Sequence, residues 1–422
     1  MKSLIFFLIV FGLSVSAAAQ QDPGNYDESK IPPYSLPDPL VFNNGLKVVS
    51  KADWQNRRVE IYRMFSTEVY GIIPQWHGKI YETPVSHKEN VFEGLATREE
   101  VTLIIKNGER QLSVLLLIYL PHSRKKVPVF LGYNFYGNQT ITNETDITLT
   151  PGWVRNNKDY KITEHKATEA SRGLSVSMWP LKEILSRGYG VVTLNYGDIE
   201  PDDRDDFKNG AQLLFDQPRD STSWGKISTW AWGLSRVIDY LETNSRVDAK
   251  KVSILGHSRL GKTALWAGAS DKRFALVISN NSGRVGAALT KRIFGEPLEF
   301  MHEAIPFWFC DNFGKYTGRE SLLPVDQHEL IALIAPRPVY VASAEEDLWA
   351  DPKGEFLSCV KASPVYKFLG KEGFPADIMP PVNHSVIGTI GYHIRTGKHD
   401  VTPYDWRCYL DFADYHFNKK TE

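Results

Sequence analysis

Ser258 is the residue most suited to chemistry in this sequence, and it lies in the stretch SILGHSRLGKT at residues 253–263. The residues before it, KVSILGH, have the apolar pattern of a buried strand, and those after it, RLGKTALWAGA, have helical spacing. Gly256 and Gly261 flank the serine, and small neighbours permit the tight strand-to-helix turn that exposes a nucleophilic hydroxyl. We therefore predict a nucleophile at Ser258; the alternative is a serine that only caps the helix.

A nucleophilic serine needs a base and an acid that orients the base. In α/β-hydrolases the chain order is serine, acid, histidine. Three acids, Glu345, Glu346 and Asp347, follow the strand pattern PVYVASA, at the carboxyl end of a late strand. Asp347 is the predicted acid because the two glutamates serve more readily as solvated loop charges, and Glu346 is kept as the alternative.

The base is expected among the histidines that follow these acids. His399 lies in the polar turn TGKHD, between a predicted last strand at 385–395 and the final helix, where this architecture delivers its histidine. His393 falls inside the strand pattern and is predicted to be structural, and His384 is a candidate for lining the cleft. His399 is therefore the predicted base.

The elements around these residues are those of an α/β fold. Two alternating runs, 99–105 and 111–120, flank an Asn-Gly turn and predict a hairpin, and residues 52–71 have helical spacing. From Val127 onward, short strands that are apolar throughout alternate with helices, which is the pattern of a parallel sheet buried on both faces. We predict an α/β-hydrolase three-layer sandwich with a mostly parallel central sheet and an antiparallel N-terminal hairpin.

The N-terminus predicts export. Residues 1–19 combine an early lysine, an apolar run and a small-residue end, as in a cleavable signal peptide, so the protein is expected to be secreted or periplasmic. Residues 20–50 are rich in proline and predict an extended arm, and residues 51–422 are predicted to form one catalytic domain. The net charge of −1 gives no general attraction to nucleic acid or membranes, and we expect a monomer.

Metal and disulfide chemistry are not expected. Cys310, Cys359 and Cys408 lie far apart, without zinc-site spacing, and are predicted to be buried free thiols; one disulfide is the alternative. The acids of DIEPDD at 198–203 lack the spacing of a calcium loop and are predicted to form a structured loop. We expect no metal and no cofactor.

Several separate motifs together resemble one family. GHSRLGKTALWAGASDKRFALVISNNSG, ASAEEDLWADPKGEF and GYHIRTGKHDVTPYDW are similar to segments of the glucuronoyl esterases of carbohydrate esterase family fifteen, particularly their bacterial branch. The resemblance extends over most of residues 120–415 and includes GYNFYGN and NYGDIEPDD. It implies hydrolysis of the ester between a glucuronic acid carboxyl, often 4-O-methylated on xylan, and a lignin alcohol.

The resemblance also implies roles for particular residues. The family's S-R-x-G-K motif matches Ser258 as nucleophile, Arg259 as an oxyanion-stabilising cation and Lys262 as a ligand of sugar hydroxyls. Glu296 matches a glutamate ligand of the sugar, and Trp349 matches the tryptophan after the late acid. The histidine of the family's G-x-H-D turn coincides with the base already predicted. Each residue also has an alternative without substrate contact. Arg259 would then be a surface arginine and Lys262 a solvated lysine, while Glu296 would be a loop charge and Trp349 a core aromatic.

The sequence departs from the family at two positions. Many members carry the catalytic acid as a glutamate where this chain has Asn281, and an amide cannot hold the negative charge that stabilises an imidazolium. The acid is then expected at the other position that the bacterial branch uses, Asp347. His257 replaces the cysteine found before the serine in fungal members, so no disulfide from the turn to the histidine loop is expected.

Other functions remain as alternatives. An acetylxylan esterase or general carboxylesterase would use the same three residues, and a secreted serine peptidase of this fold is a more remote alternative. A carbohydrate-binding relative that has lost catalysis is the alternative outside enzymes.

Overall fold

The central feature of the fold is one ten-stranded sheet, seen in a computed structural model that describes residues 23–417. The spatial order is β1-β2-β3-β5-β4-β6-β7-β8-β10-β9. Strands β5, β4, β6, β7, β8 and β10 are parallel, whereas β1 to β3 and β9 join antiparallel. The strands are β1 Lys79–Val91, β2 Ala96–Asn107, β3 Arg110–Pro121, β4 Val127–Asn134, β5 Gly190–Asn195, β6 Val247–His257, β7 Leu276–Asn280, β8 Val339–Ala344, β9 His384–Val386 and β10 Ile390–Arg395.

Helices cover both faces of this sheet. Neighbouring residues of a strand point to opposite faces: Val339 and Val341 of β8 join one apolar core, while Tyr340 and Ala342 join the other. Helices α1, α3, α4, α6 and α7 contribute to the first core, and α2 and α8 to the second, which makes the predicted three layers. The helices are α1 Lys51–Phe65, α2 Leu181–Ser186, α3 Lys226–Leu241, α4 Arg259–Ser270, α5 Leu298–Ala304, α6 Gln327–Ala332, α7 Pro352–Phe368 and α8 Pro403–Phe417.

The N-terminal hairpin was predicted correctly, but its neighbour was not. Strands β2 and β3 pair around the Asn-Gly turn. The exposed edge strand β1 was missed, because its polar residues on both faces hide the alternation on which the prediction depended. The predicted helix at 52–71 is α1 followed by a π-helical turn, and it ends at Gly71, whose φ of 87° favours glycine.

The single strand predicted at 385–395 is wrong. The segment forms β9 and β10, which pair antiparallel, so the chain reverses around Gly388. A Cβ atom at Gly388 would lie 2.7 Å from the carbonyl oxygen of Gly373, so glycine is required at this reversal. After the reversal β10 runs parallel to β8 and carries the chain to the carboxyl edge of the sheet, where His399 follows.

The N-terminal segment lies against the helices. In residues 23–50, the Asn25 side chain donates to the carbonyl oxygen of Ile293 at 2.9 Å, and the Pro37 carbonyl oxygen lies 2.8 Å from His328 Nε2. The predicted signal peptide lies outside the described residues. Within 23–417, no helix has the length and apolar composition needed to cross a bilayer. The three cysteines are buried free thiols, as predicted.

Candidate active site

Ser258 lies in a sharp turn between β6 and α4. Its φ of 57° and ψ of −129° are strained for a non-glycine residue, a conformation found at functional turns. A Cβ atom at Gly256 would lie 1.9 Å from the carbonyl oxygen of Leu260, so only glycine lets the chain pass here. Ser258 holds the N-cap position, yet its side chain makes no capping hydrogen bond in the described structure. The geometry is therefore that of a nucleophile turn and not of a plain helix cap.

The predicted acid and base are in direct contact. His399 Nδ1 lies 2.6 Å from Asp347 Oδ2, and the Asn281 amide donates to the same oxygen at 2.7 Å. Burial raises the pKa of Asp347, but hydrogen bonds from His399 and Asn281 and the charge of His399 outweigh burial and hold the pKa below its ordinary value. Glu346, the alternative acid, has an exposed side chain. Asn281 thus supports the carboxylate at Asp347 and does not replace it.

Arg395, which no sequence pattern marked as a site residue, holds the loop that carries His399. Its guanidinium donates to the carbonyl oxygens of Lys398 and Asp400 at 3.0 and 2.6 Å, one on each side of the histidine. Asp405, at the start of α8, accepts from Arg395 Nε at 2.8 Å and is fully buried. This pair fixes the backbone on both sides of the histidine.

A second histidine packs against His399. The ring of His257 lies 4.3 Å from that of His399, centroid to centroid, and its Nδ1 is 2.6 Å from Asn280 Oδ1. Burial, together with the charge of His399, lowers the pKa of His257 to about 3. His257 is therefore neutral near pH 7. His393 is fully buried with Nε2 2.9 Å from Asp405, in keeping with its predicted structural role.

A cleft of about 700 Å³ opens in front of the serine, and Arg259 reaches into it. The guanidinium donates to Asp202 Oδ2 at 2.9 Å and lies 5.0 Å from the ring of Trp308. Its Nε is buried and, among the described residues, has no hydrogen-bond partner. An unsatisfied buried donor is costly, so this N–H would gain from donating to an acceptor atom of a bound molecule.

Lys262 lines the same cleft, but all three of its N–H donors have partners. Its ammonium donates to the carbonyl oxygens of Ser282 and Arg284 at 2.6 and 2.7 Å and to Glu296 Oε2 at 3.3 Å. Burial lowers the pKa of Lys262, although the nearby carboxylate of Glu296 opposes this. The longest of the three bonds goes to Glu296, so that bond is the one most easily exchanged for a ligand hydroxyl.

Trp349 forms an aromatic wall of the cleft with Phe300. The two rings are 5.3 Å apart and nearly perpendicular. The carbonyl oxygen of Trp349 accepts from the backbone N–H of Glu296 at 2.9 Å, which ties the two predicted sugar contacts together. Phe300, Trp308 and Asp202 also line the cleft and were not predicted as site residues.

A positional signal for Asp202 was present in the sequence. The segment NYGDIEPDD follows β5, and the carboxyl ends of parallel strands meet at the edge where Ser258 lies. Trp308 and Phe300 lie on an insertion between β7 and β8, where no periodic pattern indicated which side chains turn inward. Within residues 23–417, no group of three or more histidines, cysteines or acids is arranged to hold a metal ion.

Comparison with known proteins supports the relationship that the motifs suggested. Residues 163–370 match the family model described as glucuronyl esterase, fungi. Carbohydrate esterase MZ0003, from an unknown prokaryotic organism, is 47% identical over 96% of this chain and 94% of its own length.

Solved structures agree with this result. A promiscuous CE15 esterase from a marine bacterial metagenome is 48% identical, with a TM-score of 0.88 over 93% of this chain and 100% of that one. A glucuronoyl esterase from Solibacter usitatus is 42% identical, with a TM-score of 0.86 over 92% of this chain and 100% of that one. The chain belongs to the bacterial branch of the glucuronoyl esterases, carbohydrate esterase family fifteen.

Proposed function

We propose that this protein is a serine esterase that hydrolyses esters of glucuronic acid, with or without a 4-O-methyl group, such as those joining glucuronoxylan to lignin alcohols. The observation that carries the proposal is the 2.6 Å contact between His399 and Asp347 at the cleft that also holds Ser258. Family membership provides the substrate class, since a structural relative is named a glucuronoyl esterase.

In the first step the Ser258 hydroxyl attacks the ester carbonyl carbon and its proton passes to His399 Nε2. Asp347, which accepts from Nδ1, stabilises the imidazolium that forms. The negative charge on the carbonyl oxygen develops beside the guanidinium of Arg259 and the N–H groups at the start of α4. The imidazolium then protonates the leaving alcohol, and an acyl-enzyme remains on the serine.

In the second step water attacks the acyl-enzyme, with His399 again accepting and returning the proton. The product is a glucuronic acid carboxylate. Glu296 is proposed to accept a ring hydroxyl in exchange for its contact with Lys262, and Trp349 to face the sugar. In this scheme Lys262 orients Glu296 until the substrate hydroxyl replaces the contact between them.

Hydrolysis of benzyl glucuronate by the wild type and by Ser258→Ala tests the proposal. The wild type is expected to release benzyl alcohol and the variant to be inactive, with a fluorophosphonate labelling the wild type alone. Equal turnover by both proteins would contradict the assignment of the nucleophile. Comparing benzyl glucuronate with its 4-O-methyl form measures the contribution of the methyl group.

The acetyl esterase alternative has one specific argument in its favour, because a similar bacterial relative is described as promiscuous. Acetylated xylan and p-nitrophenyl acetate test it on the same preparation. Turnover of acetyl esters with no turnover of benzyl glucuronate would favour this second function. Binding of xylan without any ester hydrolysis would instead favour the non-catalytic alternative.

Export and a monomeric state complete the proposal. The signal-peptide pattern at residues 1–19 supports a secreted or periplasmic enzyme. N-terminal sequencing of protein recovered outside the cytoplasm is expected to begin close to residue 20, and light scattering is expected to give the mass of one chain. Protein that retains residue 1 would contradict export by cleavage.

A further inference from the structure

We propose that Asp202 is a positioning residue that holds the guanidinium of Arg259 in the direction of the oxyanion, and that Lys226 holds Asp202 in turn. This inference rests on the oxyanion role proposed above for Arg259. It gives a function to the acidic loop that follows β5, which neither the proposed reaction nor the sugar contacts explain.

Three donors from separate parts of the chain meet at the Asp202 carboxylate. Oδ2 accepts from Arg259 at 2.9 Å and from the Tyr196 hydroxyl at 3.2 Å, and Oδ1 accepts from Trp308 Nε1 at 2.7 Å. The Asp202 side chain is only 4% exposed. A buried carboxylate with both oxygens engaged has one preferred orientation, because any rotation leaves a donor unpaired.

The backbone around Asp202 is also held by hydrogen bonds. Lys226, the first residue of α3, is buried and donates to the carbonyl oxygens of Pro201 and Asp203 at 2.6 Å each. Its third donor goes to Asp205 Oδ1 at 2.7 Å. One ammonium therefore ties the carbonyl groups of the residues before and after Asp202 to the start of a helix, and a shift of the loop would leave a buried charge without these partners.

Arg259 needs such an anchor because of its place in the turn. It is the first residue of α4 and carries a long side chain into an open cleft, with 14% of that side chain exposed. Stabilisation of an oxyanion depends on a donor that is already oriented before the charge develops. The contacts with Asp202 and with the ring of Trp308 limit the guanidinium to one region of the cleft.

The competing explanation is that Asp202 only holds the fold together, since it joins the β5 loop to the Trp308 segment. The two explanations differ in how Asp202 depends on Arg259. A positioning residue has little effect once Arg259 is removed, whereas a structural residue has the same effect in both backgrounds.

A double-mutant cycle with Asp202→Asn and Arg259→Ala tests the inference on benzyl glucuronate and p-nitrophenyl acetate. Asp202→Asn keeps the size of the side chain and an acceptor for Trp308 but loses the charge facing Arg259. We expect kcat to fall about 10- to 100-fold with KM changed less than about threefold, because an oxyanion contact acts in the transition state. In the Arg259→Ala background the same substitution is expected to change kcat less than about threefold.

Asp206→Asn is the matched control, since it makes the same charge change on the same loop at an exposed residue whose partner is Lys208. It is expected to keep wild-type kcat within about twofold. If Asp202→Asn does not fold, Tyr196→Phe removes one donor from Asp202 Oδ2, and its smaller loss of kcat must likewise disappear in the Arg259→Ala background.

The outcomes separate this inference from the proposed function. Equal losses in both backgrounds, an unchanged kcat for Asp202→Asn, or an unchanged kcat for Arg259→Ala would each overturn the positioning role. A wild type that hydrolyses only p-nitrophenyl acetate, with a cycle that remains non-additive on it, would refute the glucuronate substrate and leave the role of Asp202 supported.

Discussion

Two groups of side chains around Ser258 differ in the charge that they place next to the reacting atoms. On the histidine side, formed by His257, His399 and Asp347, the neighbour of the base is a neutral ring, because burial keeps the pKa of His257 at about 3. On the cation side, formed by Arg259 and Lys262, two cations that are largely withdrawn from solvent are each paired with a carboxylate.

This difference matches where charge develops in ester hydrolysis. A positive charge forms on the histidine, so a second cation beside it would oppose the reaction, while a negative charge forms on the carbonyl oxygen, where a cation helps. The arrangement therefore gives the base a neutral neighbour and places the cationic neighbours where the negative charge is proposed to develop.

The largest effect is expected on the histidine side, at Asp347. Asp347→Asn should lower kcat by about 10⁴-fold, as loss of the orienting acid does in other serine hydrolases. The substitution removes the negative charge that stabilises the imidazolium. Steady-state kinetics on benzyl glucuronate measures this loss of kcat. Glu346 is an adjacent exposed carboxylate, and Glu346→Gln should keep kcat within about threefold of the wild type. A larger loss of kcat for Glu346→Gln than for Asp347→Asn would assign the role of the acid to Glu346.

On the cation side, Lys262→Met should reduce stability more than any other change discussed for that side. It leaves Glu296 without its cation and two carbonyl oxygens without a donor, so the free energy of unfolding should fall by about 3–5 kcal/mol. Urea denaturation measures this loss. Lys272→Met, an exposed lysine just after α4, is the control and should change stability by less than about 0.5 kcal/mol.

A variant that also replaces the carboxylate sharpens the interpretation of Lys262. Adding Glu296→Leu to Lys262→Met should recover part of the lost stability, because the unpaired buried charge is then gone. A Lys262→Met variant with wild-type stability would show that the ammonium is free to bind substrate, contrary to the contacts described above.

Arg259→Ala should act on the rate and less on the fold. We expect kcat to fall about 100- to 1,000-fold with little change in KM, since an oxyanion contact forms in the transition state. Asp202 keeps two other donors, so the loss of stability should be smaller than for Lys262→Met. Arg155→Ala removes a half-exposed arginine of the same cleft that lies 3.9 Å from Asp202, and an equal loss there would mean that general positive charge in the cleft suffices.

Some of these residues could be predicted from local sequence patterns and others could not. The turn at Ser258, the order of acid and base, and the alternation of strands and helices follow from local patterns, since glycine spacing and apolar runs are set by neighbours in the chain. Asp202 and Arg395 act through partners more than 50 residues away or through backbone carbonyls. Such contacts arise only when separate segments pack, so the sequence could place the Asp202 segment at the carboxyl edge of the sheet but could not indicate its partners, and no pattern indicated Arg395.

The smallest expected effect is the pH dependence that His257 adds to stability. The pKa of this histidine is about 3 in the folded protein and near 6.5 when it is unfolded, so the unfolded chain binds more protons between these values. Stability from this group is therefore complete above about pH 6.5 and is lost as the pH falls, by up to about 1.4 kcal/mol per pH unit.

His257→Gln, which can still bond Asn280 but does not titrate, should remove this contribution to the pH dependence of stability. Urea denaturation at pH 7 and pH 5 measures the change in the free energy of unfolding for the wild type and the variant. If both proteins lose the same stability between these pH values, His257 is protonated at pH 5 in the folded protein, beside His399, and the neighbour of the base is not the neutral ring described above.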